Sequence, residues 1–405
     1  MFTALNTSKC KPRCLVDHTI SLVNASSSNS SSVEDNSVAI ILGGGTTCFS
    51  FGSRFDSHAL LLSDVPFPTK QLDQQEDDNT RQSFKSRTPT FSSDPEDTWN
   101  HPREISRKNN PTQVDWDRAL VRSEPIVFEK LDLGDCVKHW TPEYLQQKSG
   151  ELKCSVHVST SSNLTWHAKN FKYTMMSFKE LIDRTFGDSA VPSETLYLRS
   201  LSASPKQPSD LSRDFPDLAK DFKLPEPLCG SVMGHFFSSV LRISGADMGL
   251  WAHYDTCDNV LAQVRGRKLV RMWHPTEAPN LYLEGSSSHI PNFEQPDLEK
   301  FPLYRKSHPM ITILEPGDVL FIPATWLHSV QSLEPSISIN IFFRTQPNAL
   351  YSTHDVWGNV DPLPVQSVQK ETMDSIKKLD LLPSTQRQFY IKKLGMDLIR
   401  FADQE

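Results

Sequence analysis

Short apolar stretches separated by turn residues dominate the second half of the chain. The stretches with strand character are residues 236–243, 261–273, 310–314, 319–323 and 336–343. Gly266 divides the second of these into two strands, and the Glu-Pro-Gly-Asp sequence that ends at Asp318 is typical of a turn. Many short strands separated by glycine and proline turns favour a mainly β fold of the barrel or jelly-roll kind.

Helical patterns flank this strand-rich region on both sides. Two short helices are predicted before it, and two longer helices after it, at residues 141–148, 177–185, 367–381 and 384–401. Pro383 separates the last two helices, and Ser384 is a suitable N-cap for the second. An apolar stripe recurs at helical spacing in that helix: Ile391, Leu394, Leu398 and Phe401. This stripe either packs on the β domain or forms a homodimer interface.

The region before the strands is polar and has a different character. Residues 1–37 contain a serine run, and residues 56–111 are rich in Asp, Gln, Asn and Ser, as disordered segments are. Between them, residues 38–55 hold one apolar strand followed by three glycines. No Gly-Lys-Ser/Thr follows these glycines, which excludes a phosphate-binding loop. The pattern therefore predicts a β domain at 112–348 and a C-terminal helical region at 349–405.

Composition narrows the cellular setting. The 405 residues include 7 scattered cysteines, an odd number that favours reduced thiols over a disulfide framework. No run has the character of a secretory signal or a membrane span, so we expect a cytoplasmic protein, with the nucleus as an alternative, and no membrane partner. The net charge is −7, and three local clusters could still bind nucleic acid or simply be solvated: Arg103/Arg107/Lys108, Arg265/Arg267/Arg271 and Lys377/Lys378/Lys392/Lys393/Arg400.

The candidate chemistry lies in His253-Tyr254-Asp255 and in His328, which follows on a strand-like run. Two imidazoles and one carboxylate are the ligand set of non-haem Fe(II) oxygenases, which leave other metal positions open. In an extended strand, side chains i and i+2 share a face, so His253 and Asp255 can reach one ion while Tyr254 points away. The short motif alone is more often a solvated turn than a metal site, but its place in a strand-rich region favours the metal site.

Four strings extend this prediction over more than half of the chain: LYLRSL (196–201), LWAHYD (250–255), GRK (266–268) and GDVLFIP (317–323). With them, residues from about 116 to 345 resemble the JmjC-type, cupin-like Fe(II)/2-oxoglutarate hydroxylases, and within these the tRNA wybutosine hydroxylases. The resemblance implies a double-stranded β-helix of the jelly-roll type with a C-terminal helical pair. It also implies that His253, Asp255 and His328 bind Fe(II), with 2-oxoglutarate and O₂ as cosubstrates.

The same resemblance implies four cosubstrate contacts. Lys268 would pair with the distal carboxylate of 2-oxoglutarate, and the Tyr197 hydroxyl would bind the same group. Asn259 and Asn340 would donate or accept hydrogen bonds near the metal. The alternatives are a solvated strand lysine, an ordinary half-buried tyrosine and two satisfied core amides. Asn340 lies in an apolar strand, where an unpaired amide is unfavourable, so we expect it to have a polar partner.

The implied reaction is hydroxylation of the wybutosine precursor at the base 3′ of the anticodon of phenylalanine tRNA. Three alternatives stay open: a hydroxylase or demethylase of a protein substrate, a non-enzymatic cupin-like scaffold, and a module of a longer protein. Residues 43–52 resemble the end of the kelch region in fungal wybutosine-synthesizing proteins, which join a carboxyl methyltransferase, a kelch propeller and a JmjC domain. Leu250 lies where some protein hydroxylases of the group have threonine, which favours the tRNA substrate.

Overall fold

The computed structural model describes residues 97–187 and 194–404, together with the backbone of five earlier strands. These strands are β1 (Thr19–Asn24), β2 (Ser37–Leu42), β3 (Gly45–Cys48), β4 (Gly52–Phe55) and β5 (Leu60–Leu61). The chain divides into two compact units, Met1–Ser92 and Ser93–Glu405. In the first unit β2 pairs antiparallel with β1 and β5, and β3 pairs with β4. The segment 1–37, expected to be disordered, thus contains β1, while the serine run and the rest of that segment lie outside the described residues. The kelch likeness of 38–55 stays a prediction.

The second unit consists mainly of β-strands with flanking helices. Its strands are β6 (Arg103–Glu104), β7 (Arg107–Asn109), β8 (Ile126–Glu129), β9 (Lys153–Ser159), β10 (Lys172–Ser177), β11 (Thr195–Arg199), β12 (Phe236–Ser244), β13 (Gly249–His253), β14 (Asp258–Arg265), β15 (Lys268–Trp273), β16 (Leu283–Glu284), β17 (Ser287–Ser288), β18 (Met310–Leu314), β19 (Val319–Ile322), β20 (Leu327–Ser332) and β21 (Ser336–Phe343). Its helices are α1 (Gln113–Arg122), α2 (Cys136–His139), α3 (Pro142–Ser149), α4 (Phe178–Phe186), α5 (Leu211–Asp214), α6 (Pro216–Ala219), α7 (Glu226–Gly234), α8 (Leu363–Ile376) and α9 (Ser384–Ala402).

These strands form two sheets. One has nine strands in the order β10-β9-β11-β12-β21-β14-β19-β8-β7, and the other has seven in the order β16-β17-β13-β20-β15-β18-β6. The pairings are antiparallel except for the short β6–β18 and β7–β8 contacts. The predicted jelly roll, a double-stranded β-helix, is therefore confirmed, and each of the five predicted strand regions forms strands at the expected place.

Alternation along the central strands explains the layers. On β14, Val260 and Val264 belong to the large core shared with helices α1–α7, whereas Leu261 belongs to the core between the two sheets. On β19, Phe321 belongs to the large core and Leu320 belongs to the core between the two sheets. Successive side chains of a strand point to opposite faces, so a strand buried on both faces is apolar throughout. The nine-stranded sheet is consequently the middle layer, with helices on one side and the second sheet on the other.

The short predicted helices are confirmed within one residue, because their caps are clear in the sequence. The Thr141 hydroxyl accepts a hydrogen bond from the Tyr144 amide at the start of α3, and Ser177 accepts one from Glu180 at the start of α4. The C-terminal helices are also confirmed, but the N-cap of α9 is Pro383 and not Ser384, which is already helical.

The apolar stripe of α9 does not pack on the β domain. Neither α8 nor α9 contains a buried residue, and Leu398 and Phe401 are 61% and 64% exposed. The interpretation of the stripe as a layer on the β domain is therefore wrong for the single chain.

The folded unit begins before residue 112, the boundary that the sequence indicated. A short 3-10 helix (Thr98–Asn100), β6 and β7 lie within the predicted linker. Ile105 is 1% exposed in the core between the sheets. Arg107 forms ion pairs of 2.6 Å with both Glu129 and Asp318. The end of the predicted linker is thus part of the domain, because one apolar and one charged side chain attach it to the sheets.

Candidate metal centre and cosubstrate pocket

His253 and His328 are brought together by the pairing of two strands. They are cross-strand partners on β13 and β20, with ring centroids 4.4 Å apart. Asp255 lies two residues past the end of β13, so the strand that carries His253 does not extend to Asp255. The Tyr254 amide donates a hydrogen bond to the Ser286 carbonyl, next to the paired residues His253 and Ser287. The ligand atoms of the three predicted side chains nevertheless lie within 4.8 Å of one another.

Main-chain carbonyls orient both imidazoles. Nδ1 of His253 lies 3.0 Å from the Trp251 carbonyl, and Nδ1 of His328 lies 3.0 Å from the Trp326 carbonyl. A carbonyl only accepts hydrogen bonds, so each Nδ1 donates its proton and each Nε2 keeps a free lone pair. Burial, with the neighbouring His328, lowers the pKa of His253 to about 4, and burial also lowers the pKa of His328. Both rings are therefore neutral at physiological pH, as metal ligands must be.

Asp255 supplies an unsatisfied acceptor to the same place. Its Oδ2 is buried, has no hydrogen-bond partner among the described residues, and lies 3.8 Å from Nε2 of His328. A buried carboxylate oxygen without a partner is unfavourable unless a cation or donor meets it. Two free Nε2 lone pairs and this oxygen fit a divalent cation held by two histidines and one carboxylate.

A second group, His167, Glu284 and His289, also brings ligand atoms within 4.8 Å of one another. Its imidazoles are stacked, with centroids 3.8 Å apart and an interplanar angle of 16°. The lone pairs of imidazole lie in the ring plane, so stacked rings aim them along parallel lines that do not meet at one ion. Glu284 and His289 are moreover exposed, and their 2.7 Å contact already pairs them. The geometry favours the first group as the metal centre.

A pocket adjoins the first group. It is lined by Tyr197, Arg242, Met248, Leu250, His253, Leu261, Lys268, Ile322, His328, Val330 and Asn340. Five of the seven predicted site residues therefore line one pocket. Of the other two, Asp255 completes the metal group and Asn259 contacts Asn340. Apolar side chains make up most of the remaining wall.

Lys268 lies at one end of this pocket and is only 2% exposed, which contradicts the alternative of a solvated strand lysine. Its Nζ donates a 2.6 Å hydrogen bond to the Ser338 hydroxyl. Burial, and then the nearby Arg242, lower the pKa of Lys268 to about 7, and no carboxylate in the described part of the chain offsets these effects. A buried ammonium without a counter-ion is a candidate partner for an anionic ligand.

Arg242 is the site residue that sequence reasoning missed. It donates a hydrogen bond to the Tyr197 hydroxyl, and both residues line the pocket beside Lys268. Tyr197 is 3% exposed, so it is a buried pocket residue and not a half-buried strand tyrosine. The available signal was a single cation in the apolar stretch 236–243, at a position whose neighbours on the same face of the strand are buried. Three donors thus converge on one end of the pocket.

Asn259 and Asn340 form a partly satisfied pair. Nδ2 of Asn340 donates a 3.1 Å hydrogen bond to Oδ1 of Asn259, which is the polar partner expected for Asn340. Nδ2 of Asn259 and Oδ1 of Asn340 are buried and have no partner among the described residues. One donor and one acceptor are therefore free for a bound molecule.

Cys257, close to Asp255 in sequence, is not part of the metal group. It is 1% exposed and packs with Phe237, Val240 and Phe342. Burial raises the pKa of its thiol to about 12, so it stays neutral. Cys257 is therefore a buried, neutral thiol and not a metal ligand.

The three basic clusters are largely neutralised. Their members form ion pairs with neighbouring carboxylates: Arg107–Asp318, Lys108–Asp115, Arg267–Glu334, Arg271–Glu294, Lys377–Asp374, Lys393–Asp397 and Arg400–Asp397. Paired surface charges contribute little long-range field. Within residues 97–187 and 194–404, none of the helices has both the length and the apolar character to cross a bilayer.

Comparison with known proteins gives one family and several similar relatives. A family described as "Cupin-like domain" matches residues 111–349. The tRNA wybutosine-synthesizing protein 5 of Mus musculus is 38% identical over 277 residues, which are 67% of this chain and 87% of that protein. The Homo sapiens protein of the same name is 38% identical over 281 residues, covering 68% and 88%.

A longer fungal protein matches more of the chain. The tRNA wybutosine-synthesizing protein 4 of Gibberella zeae is 33% identical over 390 residues, which are 91% of this chain but 37% of that protein. Such coverage extends beyond the cupin-like residues into the first unit. The family match takes in more than half of the chain, and the protein 5 relatives are covered over most of their length. This chain therefore belongs to the JmjC-type cupin-like family, as a relative of the tRNA wybutosine-synthesizing proteins.

Proposed function

We propose that this chain is an Fe(II)- and 2-oxoglutarate-dependent oxygenase that hydroxylates the wybutosine precursor next to the anticodon of phenylalanine tRNA. The observation that carries the proposal is the meeting of two free Nε2 lone pairs with the unpartnered Oδ2 of Asp255, beside a pocket with a buried, uncompensated lysine. Relatives named for wybutosine synthesis support the tRNA substrate.

His253, Asp255 and His328 would hold the iron through Nε2, Oδ2 and Nε2. When bound there, Fe(II) with 2-oxoglutarate and O₂ supplies the oxidation of a C–H bond to C–OH, while 2-oxoglutarate becomes succinate and CO₂. The contribution of the protein is to hold both reactants in a fixed geometry and to limit water. The apolar wall formed by Leu261, Ile322 and Val330 serves the second purpose.

Lys268, Arg242 and Tyr197 would bind the distal carboxylate of 2-oxoglutarate. All three present donors at one end of the pocket, and a carboxylate accepts several hydrogen bonds at once. Charged hydrogen bonds of this kind are stronger than neutral ones, particularly in a buried site. The free Nδ2 of Asn259 and Oδ1 of Asn340 would meet polar groups nearer the metal.

The test is mass spectrometry of nucleosides after incubation with Fe(II), 2-oxoglutarate and phenylalanine tRNA that carries the unhydroxylated precursor. We expect the precursor to gain one oxygen, and this gain to disappear in His253→Ala. The matched control is His308→Ala, which removes an exposed histidine that belongs to neither the pocket nor the candidate metal group.

Two outcomes would contradict the proposal. Turnover of 2-oxoglutarate without an oxygen on the nucleoside would keep the iron chemistry and point to a protein substrate. Unchanged succinate production in His253→Ala would overturn the metal assignment itself.

A further inference from the structure

Arg199 is a charged residue that the proposed reaction does not use. It ends β11, two residues beyond Tyr197, so both side chains lie on the face that lines the cosubstrate pocket. Its cross-strand partner on β12 is Arg242. Like charges directly opposite each other destabilise a sheet, so this pair needs an explanation.

Neither guanidinium has a carboxylate as a hydrogen-bond partner in the described part of the chain. Arg242 bonds to Tyr197. Arg199 makes only a long 3.5 Å contact to the Trp357 carbonyl, and its guanidinium lies 4.6 Å from the centre of the Trp357 ring. The nearby Asp355 is already paired with Arg344 at 3.2 Å. Burial and Arg242 lower the pKa of Arg199 to about 10, so it stays charged at neutral pH.

Arg199 also lines a second pocket. This pocket is lined by Leu201, Ala203, Pro205, Val356 and Trp357, and by the polar side chains of Ser202, Ser204, Gln207 and Ser209. All of these lining residues lie in the described ranges, and none is acidic. The indole of Trp357 covers one face of the guanidinium, which leaves its N–H edge for a ligand.

We infer that Arg199 and Trp357 form a second anion site, which takes an oxyanion of the substrate, a carboxylate or a phosphate, beside the metal centre. The inference rests on the proposed function for the identity of the substrate. The distal carboxylate of 2-oxoglutarate would face Lys268 and Arg242 in the first pocket, whereas Arg199 lines the second pocket and keeps its charge for another anion. The planar N–H edge of the Arg199 guanidinium can donate two parallel hydrogen bonds to one oxyanion.

The melting temperature after substitution distinguishes a structural role of Arg199 from a binding role. If Arg199 served mainly to hold Trp357, Arg199→Gln would lower the melting temperature. If it is an unsatisfied binding residue, the substitution removes repulsion from Arg242, and the melting temperature of the ligand-free protein rises or stays the same.

The first experiment needs no RNA and so does not depend on the proposed function. Melting curves of the full chain would be recorded in rising inorganic phosphate or acetate, at constant ionic strength, for wild type, Arg199→Gln and Arg118→Gln. Arg118 is an exposed arginine on α1 and serves as the matched control. We expect either anion to stabilise wild type and Arg118→Gln, and to stabilise Arg199→Gln less, because only the Lys268 pocket would then bind the anion. Equal stabilisation of all three proteins would overturn the inference.

The second experiment distinguishes the two sources of the anion. Hydroxylation kinetics would be compared on tRNA whose precursor side chain carries a free carboxyl or its methyl ester. If the site binds that carboxylate, Arg199→Gln raises KM for the free acid roughly 10-fold or more and leaves the ester nearly unchanged. If it binds a backbone phosphate, both substrates weaken equally, and the salt dependence of tRNA binding falls by about one charge.

In either case Arg199→Lys recovers part of the loss, and KM for 2-oxoglutarate stays unchanged. An unaltered KM for both substrates together with an unaltered salt dependence would contradict a substrate role for Arg199. If wild type hydroxylates no nucleoside but Arg199→Gln still loses anion stabilisation, the proposed function fails while the anion site stands.

Discussion

At the scale of single residues, the site is defined by groups that lack partners. Asp255, Asn259 and Asn340 each keep a buried polar atom without a hydrogen bond, and Lys268 keeps a buried charge. Other buried polar atoms of the described residues also lack partners, among them Thr185 Oγ1 and Trp273 Nε1, but here a carboxylate and two amides lie with a buried lysine around one pocket, and this combination indicates a ligand-binding site.

Lys268 gives a prediction about pH. The pKa of this lysine is about 7 in the folded chain, against 10.5 for an ordinary lysine. Between these values the unfolded chain binds more protons than the folded chain, so the free energy of unfolding rises with pH across that window. We expect Lys268→Met to lose most of this rise, which urea unfolding at several pH values would measure in the ligand-free protein. The exposed Lys392→Met is the control, and equal slopes for Lys268→Met and wild type would show that the buried ammonium is not the cause.

Seven candidate site residues were predicted from the sequence, and the two arginines were not. His253, Asp255 and Lys268 lie in strings with a characteristic spacing, which a single chain displays. The sequence shows Arg242 only as a lone cation in an apolar stretch, and it shows neither arginine as the cross-strand partner of the other, because strand pairing between residues 43 positions apart is not visible in local periodicity. The prediction of site residues was limited mainly because the pairing register of distant strands cannot be read from the sequence, and less by the choice of residue types.

At the scale of elements, the turn between β14 and β15 controls the position of Lys268. Gly266 has a φ of +68°, and a Cβ there would lie 2.3 Å from the Pro335 carbonyl oxygen. Only glycine fits such a turn without displacing the backbone. The start of β15, and with it the ammonium of Lys268, is thus fixed by a glycine two residues earlier.

We therefore expect Gly266→Ala to destabilise the protein by about 1–3 kcal/mol and to weaken 2-oxoglutarate binding. Thermal unfolding and a titration with 2-oxoglutarate would measure the two effects. Gly230→Ala is a matched control, because a Cβ at Gly230 meets nothing within 4 Å inside α7. That substitution should stabilise by about 0.5–1 kcal/mol, as alanine does in a helix. If Gly266→Ala binds 2-oxoglutarate as tightly as the wild type, the turn does not control the position of Lys268.

Some strands could be predicted from the sequence more accurately than others. The strands around the site have alternating or wholly apolar sequences with clear turn residues between them, and they formed where expected. The edge strand β10 has an exposed, mixed sequence, and β6 and β7 are short and polar, so their pairing with the sheets depends on tertiary contacts. The same limit explains why the domain starts earlier than residue 112.

At the scale of the whole molecule, the C-terminal helices leave a large apolar surface uncovered. The exposed side chains on them are Leu363, Val365, Val368, Met373, Leu381, Phe389, Tyr390, Leu394, Met396, Leu398, Ile399 and Phe401. Monomeric proteins rarely expose so many neighbouring apolar residues, which favours the homodimer predicted from the stripe.

We expect the wild-type chain to have the mass of a dimer by light scattering at micromolar concentration. The double substitution Leu394→Asp and Leu398→Asp should give a monomer, because burying two carboxylates in an apolar interface is unfavourable. Val121→Asp, at an apolar side chain that is 86% exposed on α1, should leave the dimer intact. A monomeric mass for the wild-type chain would contradict the interface.

The two main-chain carbonyls that orient the imidazoles have a consequence for evolution. In many metal proteins a carboxylate or amide side chain holds each histidine, and one substitution there misorients the ligand. Here the carbonyls of Trp251 and Trp326 do this work, and no substitution removes a carbonyl. The backbone of the strands therefore fixes the orientation of both imidazoles. Descendants that lose the metal should therefore show replaced ligands on an unchanged scaffold, while residues around the ligands are free to diverge toward new substrates.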